Sequence, residues 1–400
     1  MLTQWFDPEP TFKGLQFAKA LKARGHQVEV LTGFPNYPGG KLYPGYKVRP
    51  WQREEMDGIR VNRVALYPSH DKNALHRVAN YASFALAAAS LGPMLVKRPD
   101  VIYCYHPPAS IGVAAVALKT VFRAPLVYDI QDMWPDTLAA TGMLNNRHIL
   151  DAVGAYCKVL YRVCDHLVVL SPGFKRLLVE RGVPEAKVTV IYNWTHENEQ
   201  PESPDPELAR KFGMAGKFNV LFAGTMGTGQ GLDAVLDAAK LVAASSPDVQ
   251  LVFVGGGVER SRLEGRVAAE GIRNTRFLPR QEPSAMSPIF AISDALLVHL
   301  MDDPLFRITI PSKTQAYLEA GRPIVMGVRG DAADLVERAG AGYACEPGNP
   351  ESIADVVVKL ARTPSEELAA IGQRGRDFYK KELALGVGVS RFEAVFKEDI

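Results

Sequence analysis

PLFRITIPSKTQAYLEAGRPIVMGV, residues 304–328, is the stretch whose reading decides the fold. Pro311 and Ser312 read as the entry of a helix, Gly321 as its C-terminal cap and Pro323 as the stop before the strand PIVMGV. The apolar run ALLVHL precedes the stretch, so the order is strand, loop, capped helix, strand. That order is the repeating unit of a parallel sheet covered by helices. A helix entered this way turns unpaired N–H groups and a positive dipole end toward whatever sits before it, and Arg307 and Lys313 add two full charges there. The pattern points to an anion such as a diphosphate; two solvated surface cations are the alternative.

The same rhythm runs through the rest of the chain. LTQWF, QVEVLT, VIYCYH, PLVYDI, HLVVLS and VTVIYN alternate with helix-length amphipathic segments in the front half. NVLFAG, VQLVFVG, TRFLP, ALLVHL and PIVMGV do so in the back half. The expected architecture is α/β, two facing Rossmann-like doubly wound domains with an interdomain cleft, since ligands of such sheets gather at the carboxyl ends of the strands. The polar, Pro- and Glu-rich residues 195–216 suit a linker or an exposed start to the second domain. The domains are therefore expected at 1–195 and at 196–400. The last helix, about 387–397, is a candidate to pack back on the first domain.

A chain of 400 residues with 47% hydrophobic and 22% charged residues is long enough for two cores. No run of about 18 uncharged apolar residues is evident and the N-terminus lacks the pattern of a signal peptide, so a cytoplasmic location is expected. Residues 74–96 stand apart, apolar almost all round, with His76 and Arg77 at the entry and Lys97 and Arg98 after the exit. They suit either a buried helix of the first domain or an interfacial helix peripheral on the inner face of the cytoplasmic membrane. Residues 1–195 carry 23 Lys/Arg against 15 Asp/Glu, and the remainder 23 against 29, so the front half is near +8 and the back half near −6. Such polarity is compatible with a front half that meets anionic lipid or a phosphorylated acceptor. No basic run with interleaved aromatics suggests nucleic acid. Cys104, Cys157, Cys164 and Cys345 have neither metal nor disulfide spacing and read as small buried apolar residues.

Three further segments offer chemistry. The run Gly224 to Gly231, GTMGTGQG, follows one strand and precedes a helix, where glycines let the backbone approach a phosphate or sugar; a tight structural turn is the alternative. Gln230 stands where a P-loop would need lysine. At the end of PLVYDI, Asp132 reads as a polar group of the cleft and Trp134 as a flat face for a sugar. His106, ending VIYCYH, is similarly placed. No metal-ligand spacing, nucleophile elbow or Walker lysine occurs. Two sheets with phosphate-friendly loops and no nucleophile suit transfer of a group whose leaving group is a bound diphosphate.

TQWFDPEPTFKG, TGFPNYPGGKLYPGY, YDIQDMWPD and above all DDPLFRITIPSKTQAYLEAGRPI resemble the retaining glycosyltransferases of family 4, which have the GT-B architecture. Within that family the strings are most similar to WbuB-type L-fucosamine transferases of bacterial surface polysaccharide assembly. The resemblance implies that Gly224, Thr225, Gly227, Gly229, Arg307, Ser312, Lys313 and Thr314 bind the donor nucleotide and diphosphate. It implies that Lys13, Gly14, Asn36, Tyr37 and Tyr43 lie on the acceptor side, with His106 and Asp132 as the catalytic groups and no metal or other cofactor. Positive groups would stabilise charge developing on the leaving phosphate. Three departures stand out. The family's pair of glutamates falls on Ile308 and Ala316, its loop Arg and Lys on Thr225 and Gln230, and the His of its His-Asp pair on Gln131.

The activity so implied is that of a hexosyltransferase-type enzyme moving an N-acetylated deoxyhexosamine, L-FucNAc, from its UDP form. The expected acceptor is a lipid-linked (polyprenyl diphosphate) saccharide in O-antigen, lipopolysaccharide or capsule biosynthesis. A UDP-N-acetylhexosamine 2-epimerase shares the fold but needs paired acid/base groups that are sparse in the back half. A non-catalytic nucleotide-sugar-binding homologue is the third alternative.

Overall fold

Most of the apolar runs become strands buried along nearly their whole length, as parallel strands covered on both faces must be, while those from VTVIYN and TRFLP are only partly buried. The computed structural model describes residues 1–69, 74–140, 142–197 and 203–399, so part of the expected linker, residues 198–202, lies outside the described residues. Two units form, Met1–Tyr192 with Gly388 onward, and Asn193–Val387.

In the first unit β1 (Leu2–Thr3), α1 (Leu15–Ala23) and β2 (Glu29–Gly33) lead into a hairpin of β3 (Trp51–Met56) and β4 (Ile59–Val64). There follow α2 (Ala74–Leu95), β5 (Ile102–His106), α3 (Ile111–Phe122), β6 (Leu126–Ile130) and the short α4 (Asp136–Ala140). The unit continues with α5 (Arg147–Val163), β7 (His166–Val169), α6 (Pro172–Glu180) and β8 (Val188–Val190). The eight strands lie in the order β3-β4-β2-β1-β5-β6-β7-β8, and every pair is parallel except β3 with β4. The hairpin was not among the expected strands. Its turn is Asp57-Gly58, both at positive φ; β4 alternates apolar with polar residues and β3 is mostly charged and polar, a weaker signal than the fully buried runs.

The second unit runs α7 (Pro206–Lys211), β9 (Phe218–Ala223), α8 (Leu232–Ser245), β10 (Val249–Val254), α9 (Arg260–Glu270), β11 (Thr275–Leu278), α10 (Met286–Ala291) and β12 (Ala295–His299). It continues through α11 (Pro304–Arg307), α12 (Ser312–Ala320), β13 (Ile324–Gly327), α13 (Asp331–Ala339), β14 (Gly342–Ala344), α14 (Pro350–Ala361) and α15 (Ser365–Glu382). Its six strands are all parallel, in the order β11-β10-β9-β12-β13-β14. One face of the sheet is filled by Leu232, Val235 and Leu236 of α8 together with Ile353 and Val357 of α14. The last helix, α16 (Leu385–Asp399), carries the chain back, and from Gly388 its residues belong to the first unit. There Phe392 packs on Phe17 and Tyr103, with ring centroids 5.2 and 5.4 Å away.

Strand order locates the chemistry. In the first unit the chain leaves β1 toward β2 but leaves β5 toward β6, so the direction of winding reverses between the neighbours β1 and β5. In the second it reverses between β9 and β12. At such a reversal the loops beyond the carboxyl ends diverge to opposite faces and leave a crevice.

Candidate active site

In the second unit the reversal brings together the loop after β9 and the loop after β12. Met301 N donates to Gly229 O at 2.9 Å. His299 Nδ1 lies 2.7 Å from Gln230 O, while its Nε2 accepts from Gly348 N at 3.1 Å. The imidazole is therefore the neutral tautomer with its proton on Nδ1, and burial lowers its pKa. One side chain thus fastens three loops at the carboxyl edge. Lys313, at the second position of α12, reaches into the same place: its Nζ donates to Gln230 Oε1 at 3.0 Å and lies 3.8 Å from the centroid of the Phe222 ring. Burial lowers the Lys313 pKa to about 7. A half-buried ammonium held by a neutral amide is poised to gain from an arriving anion.

The glycines of the loop are needed for backbone contact. Gly255 has φ 141°, and a Cβ on it would lie 2.0 Å from Gly224 O; a Cβ on Gly257 would lie 2.3 Å from Met226 O. The loops after β9 and β10 therefore touch backbone to backbone, and a short 3-10 turn, Thr228–Gln230, leads into α8. Gly224, Thr225 and Thr228 are exposed at the crest.

The residues expected around the diphosphate separate in the structure. Gly224, Gly227, Gly229 and Lys313 share this edge, and Ser312 is exposed at the first position of α12. Arg307 does not join them: Asp302 binds its guanidinium through Nε and NH2, both at 2.8 Å, and Asp302 also accepts from Arg329 at 3.0 Å. In this structure the two cations at the helix entry therefore have different partners, Asp302 for Arg307 and Gln230 for Lys313. Thr314 is a correction as well, because it is fully buried and its hydroxyl, without a hydrogen-bond partner, has no surface to present. Burial of one side of α12 against the sheet accounts for this, Tyr317 from the same side meeting Ala223 N at 2.9 Å through its hydroxyl.

In the first unit the reversal lies beside His106 and the loop after β1. His106 is 2% exposed, with its ring edge-on to Trp134 at 5.8 Å. Burial holds its pKa down to about 3, so the ring is neutral across the physiological range. Asp132 is less enclosed, and burial raises its carboxyl to about 6. Its charge is felt at Tyr37 and at Tyr81 on α2, which places all three at one edge. Tyr37 stacks on Trp5 at 4.4 Å, and Tyr43 Oη donates to Tyr37 O at 2.9 Å.

Three residues expected on the acceptor side are buried instead of presented at the surface. Lys13 is entirely buried, with Nζ 2.8 Å from Asp129 Oδ2, and Tyr103 donates to the same oxygen at 2.6 Å. Taking both charges from water demands that they pair, so Lys13 is held in the core and has no surface for a ligand. Gly14 is also buried; a Cβ there would meet Asp7 Oδ2 at 2.2 Å, and that oxygen accepts from Leu15 N at the start of α1. Asn36 is 2% exposed, its amide donating to Phe34 O and its carbonyl accepting from Asn80.

Sequence reasoning missed Glu9, Trp5 and His299. Glu9 accepts from the backbone N–H groups of Phe6, Asn36 and Tyr37, tying the β1 loop to the loop after β2. Burial outweighs those bonds and raises its pKa to about 7. The signal was its position within DPEP, directly after a strand. His299 stands next to last in the run ALLVHL, much as His106 ends VIYCYH, but only the latter was singled out. Among the described residues no group of three or more His, Cys, Asp or Glu is placed to hold a metal ion. All four cysteines are buried. A cavity of about 790 Å³ in the first unit lies at the opposite, amino-terminal edge of the sheet, beside Lys22, Glu29 and Ile102, away from the crevice between β1 and β5.

Residues 15–194 match the glycosyl transferase 4-like domain, and residues 205–378 match the glycosyl transferases group 1 family. WcaI of Escherichia coli (strain K12), named as a colanic acid biosynthesis glycosyl transferase, is 27% identical over 308 residues, 73% of this chain and 74% of the relative. N-acetyl-alpha-D-glucosaminyl L-malate synthase of Bacillus anthracis is 22% identical over 390 residues, 96% of this chain and 92% of its own. Among solved structures, Anabaena HepE in complex with UDP-glucose has the same fold, with a TM-score of 0.70 at 17% identity and 99% of each chain covered. With the two family domains following one another along the two units, the chain belongs to the family 4 glycosyltransferases of GT-B fold.

Proposed function

We propose that this glycosyltransferase moves L-FucNAc, an N-acetylated deoxyhexosamine, from UDP to a lipid-linked saccharide acceptor in the building of a bacterial surface polysaccharide. The observation that carries the donor half of this reading is the Lys313 ammonium, half-buried beside the exposed Gly224 loop at the N-terminal turn of α12, with the neutral Gln230 amide as its hydrogen-bond partner. A nucleoside diphosphate supplies the missing charge. UDP-glucose in the structure of the similarly folded HepE supports a UDP donor, and the name of WcaI supports a surface-polysaccharide setting. The resemblance to WbuB-type enzymes supports the choice of sugar.

In the proposed reaction the bond from the sugar C1 to the β-phosphate oxygen breaks, and a bond forms from C1 to an acceptor hydroxyl on the same face, with retention of configuration. The hydroxyl proton passes to the departing phosphate oxygen. Lys313 and the N–H groups at the start of α12 stabilise the charge left on UDP, with no metal in the scheme. Asp132, Tyr37 and Trp134 orient the acceptor at the first unit's edge, and neutral His106 supports the Trp134 face.

A panel of radiolabelled UDP-sugars, each with and without a lipid-diphosphate sugar acceptor, tests the reading. UDP release that requires acceptor, and is greatest with UDP-L-FucNAc, is expected. Interconversion of a UDP-sugar with no acceptor present would replace transfer by epimerisation, and release from a different UDP-sugar would correct the donor.

A further inference from the structure

The sequence reading left residues 74–96 between two alternatives, and the structure gives each side of α2 a different one. Phe84, Ala85, Ala88 and Gly92 are buried, and a Cβ on Gly92 would come 2.8 Å from Leu31. Asn80, 2% exposed, accepts from Gln4 Nε2 at 2.7 Å and donates to Tyr67 O at 2.7 Å. The other side is exposed: Leu75 is 76% exposed, Met94 73%, Leu86 63% and Val78 61%. Contrary to the expectation that no such run exists, Leu75–Leu95 is long and apolar enough, by length and composition, to cross a membrane. Crossing would tear the Asn80 amide from its partners and bury it in hydrocarbon, so the helix is held flat on its domain.

The exposed stripe does not stand alone. Right-handed crossovers from β4 to β5, β5 to β6 and β6 to β7 lay α2, α3 and α5 side by side on one face of the sheet. Of the 16 large hydrophobic residues exposed among the described residues, nine stand on these three helices, among them Val121 of α3 and Val159 of α5. That share is too concentrated for scattered surface residues. The charge around them is mainly of one sign. Neither α2 nor α3 contains a carboxylate, and exposed Lys97, Arg98, Arg123 and Lys158 surround the stripe. The acids nearby are Glu29, which accepts from Lys97 N at 3.0 Å and pairs with Arg60, together with Asp100, Asp151 and Asp165, the last already held by Lys119.

We infer that the outer surface of α2, α3 and α5 is a docking face for an anionic lipid bilayer, with α2 lying in the headgroup region and its apolar stripe turned toward the acyl chains. Apolar side chains ringed by cations match a surface that is negative outside and apolar within, whereas a protein partner would have to supply both features itself. The inference extends the lipid-linked acceptor reading and rests on it for the reason an enzyme would work at a membrane. Its test needs neither donor nor acceptor.

The full chain is sedimented with extruded vesicles of phosphatidylethanolamine and phosphatidylglycerol, and separately with phosphatidylcholine vesicles. Binding to the anionic vesicles is expected. Leu86→Glu with Met94→Glu should weaken it about tenfold or more, and Lys97→Glu with Arg98→Glu about fivefold for each residue. An unchanged melting temperature and unchanged UDP affinity would show both variants to be folded. Wild-type protein left in the supernatant overturns the proposal, as does a Leu86/Met94 variant that pellets fully. A wild-type dimer that becomes monomeric in that variant, with no difference on vesicles, would assign the face to a second copy instead. Vesicle binding without sugar transfer would leave the face standing and remove the proposed reaction; the reverse result would do the opposite.

Discussion

A lysine whose pKa sits near 7 turns nucleotide binding into a proton-linked event. In the free protein Lys313 is about half charged at pH 7, and a bound diphosphate would raise its pKa, so binding above that pH must take up a proton. UDP affinity is expected to be flat below about pH 6 and to fall by up to about tenfold per unit above pH 7, which calorimetry across pH will read. Lys313→Met should abolish that slope and cost about 2 kcal/mol, roughly thirtyfold in Kd. Arg307→Ala should cost less than Lys313→Met, because Asp302 already occupies the guanidinium. Lys13 obeys opposite logic. Replacing it with Met leaves the Asp129 carboxylate buried and unpaired, and a loss of about 3–5 kcal/mol is expected in denaturant melts.

At the scale of elements, the site depends on two loops being free to touch. Gly255→Ala would push the Gly224 carbonyl aside and hold a side chain at positive φ. About 2 kcal/mol of stability should be lost, with a fall in UDP affinity larger than that from an alanine at the uncrowded Gly227. The capped helix was legible residue by residue: α12 begins at Ser312, ends before Gly321 in the left-handed conformation, and yields to β13 after Pro323. The strands with continuous apolar runs were legible for the same reason, since burial on both faces leaves no alternation to confuse. What escaped was set by partners distant in sequence. Nothing local to FKG says that Lys13 turns inward to Asp129, 116 residues away. Glu9 likewise acquires its role only when the loop at Asn36 folds over it.

For the whole molecule, the return of α16 makes the stability of the first unit depend on the last residues of the chain. Phe392 is fully buried against Phe17 and Tyr103, and Lys13 Nζ lies 5.3 Å from its ring centroid. Phe392→Ala should cost the first unit about 3–5 kcal/mol. Two calorimetric transitions are expected, and only the one belonging to the first unit should move; a shift of both together would mean that the units unfold as one. The β3–β4 hairpin bears on a different hazard. Open sheets end in strands with unpaired amides and carbonyls, which invite a neighbouring chain to add its own. At one such border the first unit places β3, antiparallel to the rest and bearing Arg53, Glu54 and Glu55 in succession. The remaining borders, β8, β11 and β14, are only three or four residues long. A chain guarded in this way can accumulate to high local density without knitting into fibrils, because each frontier is either charged or too brief to template another strand.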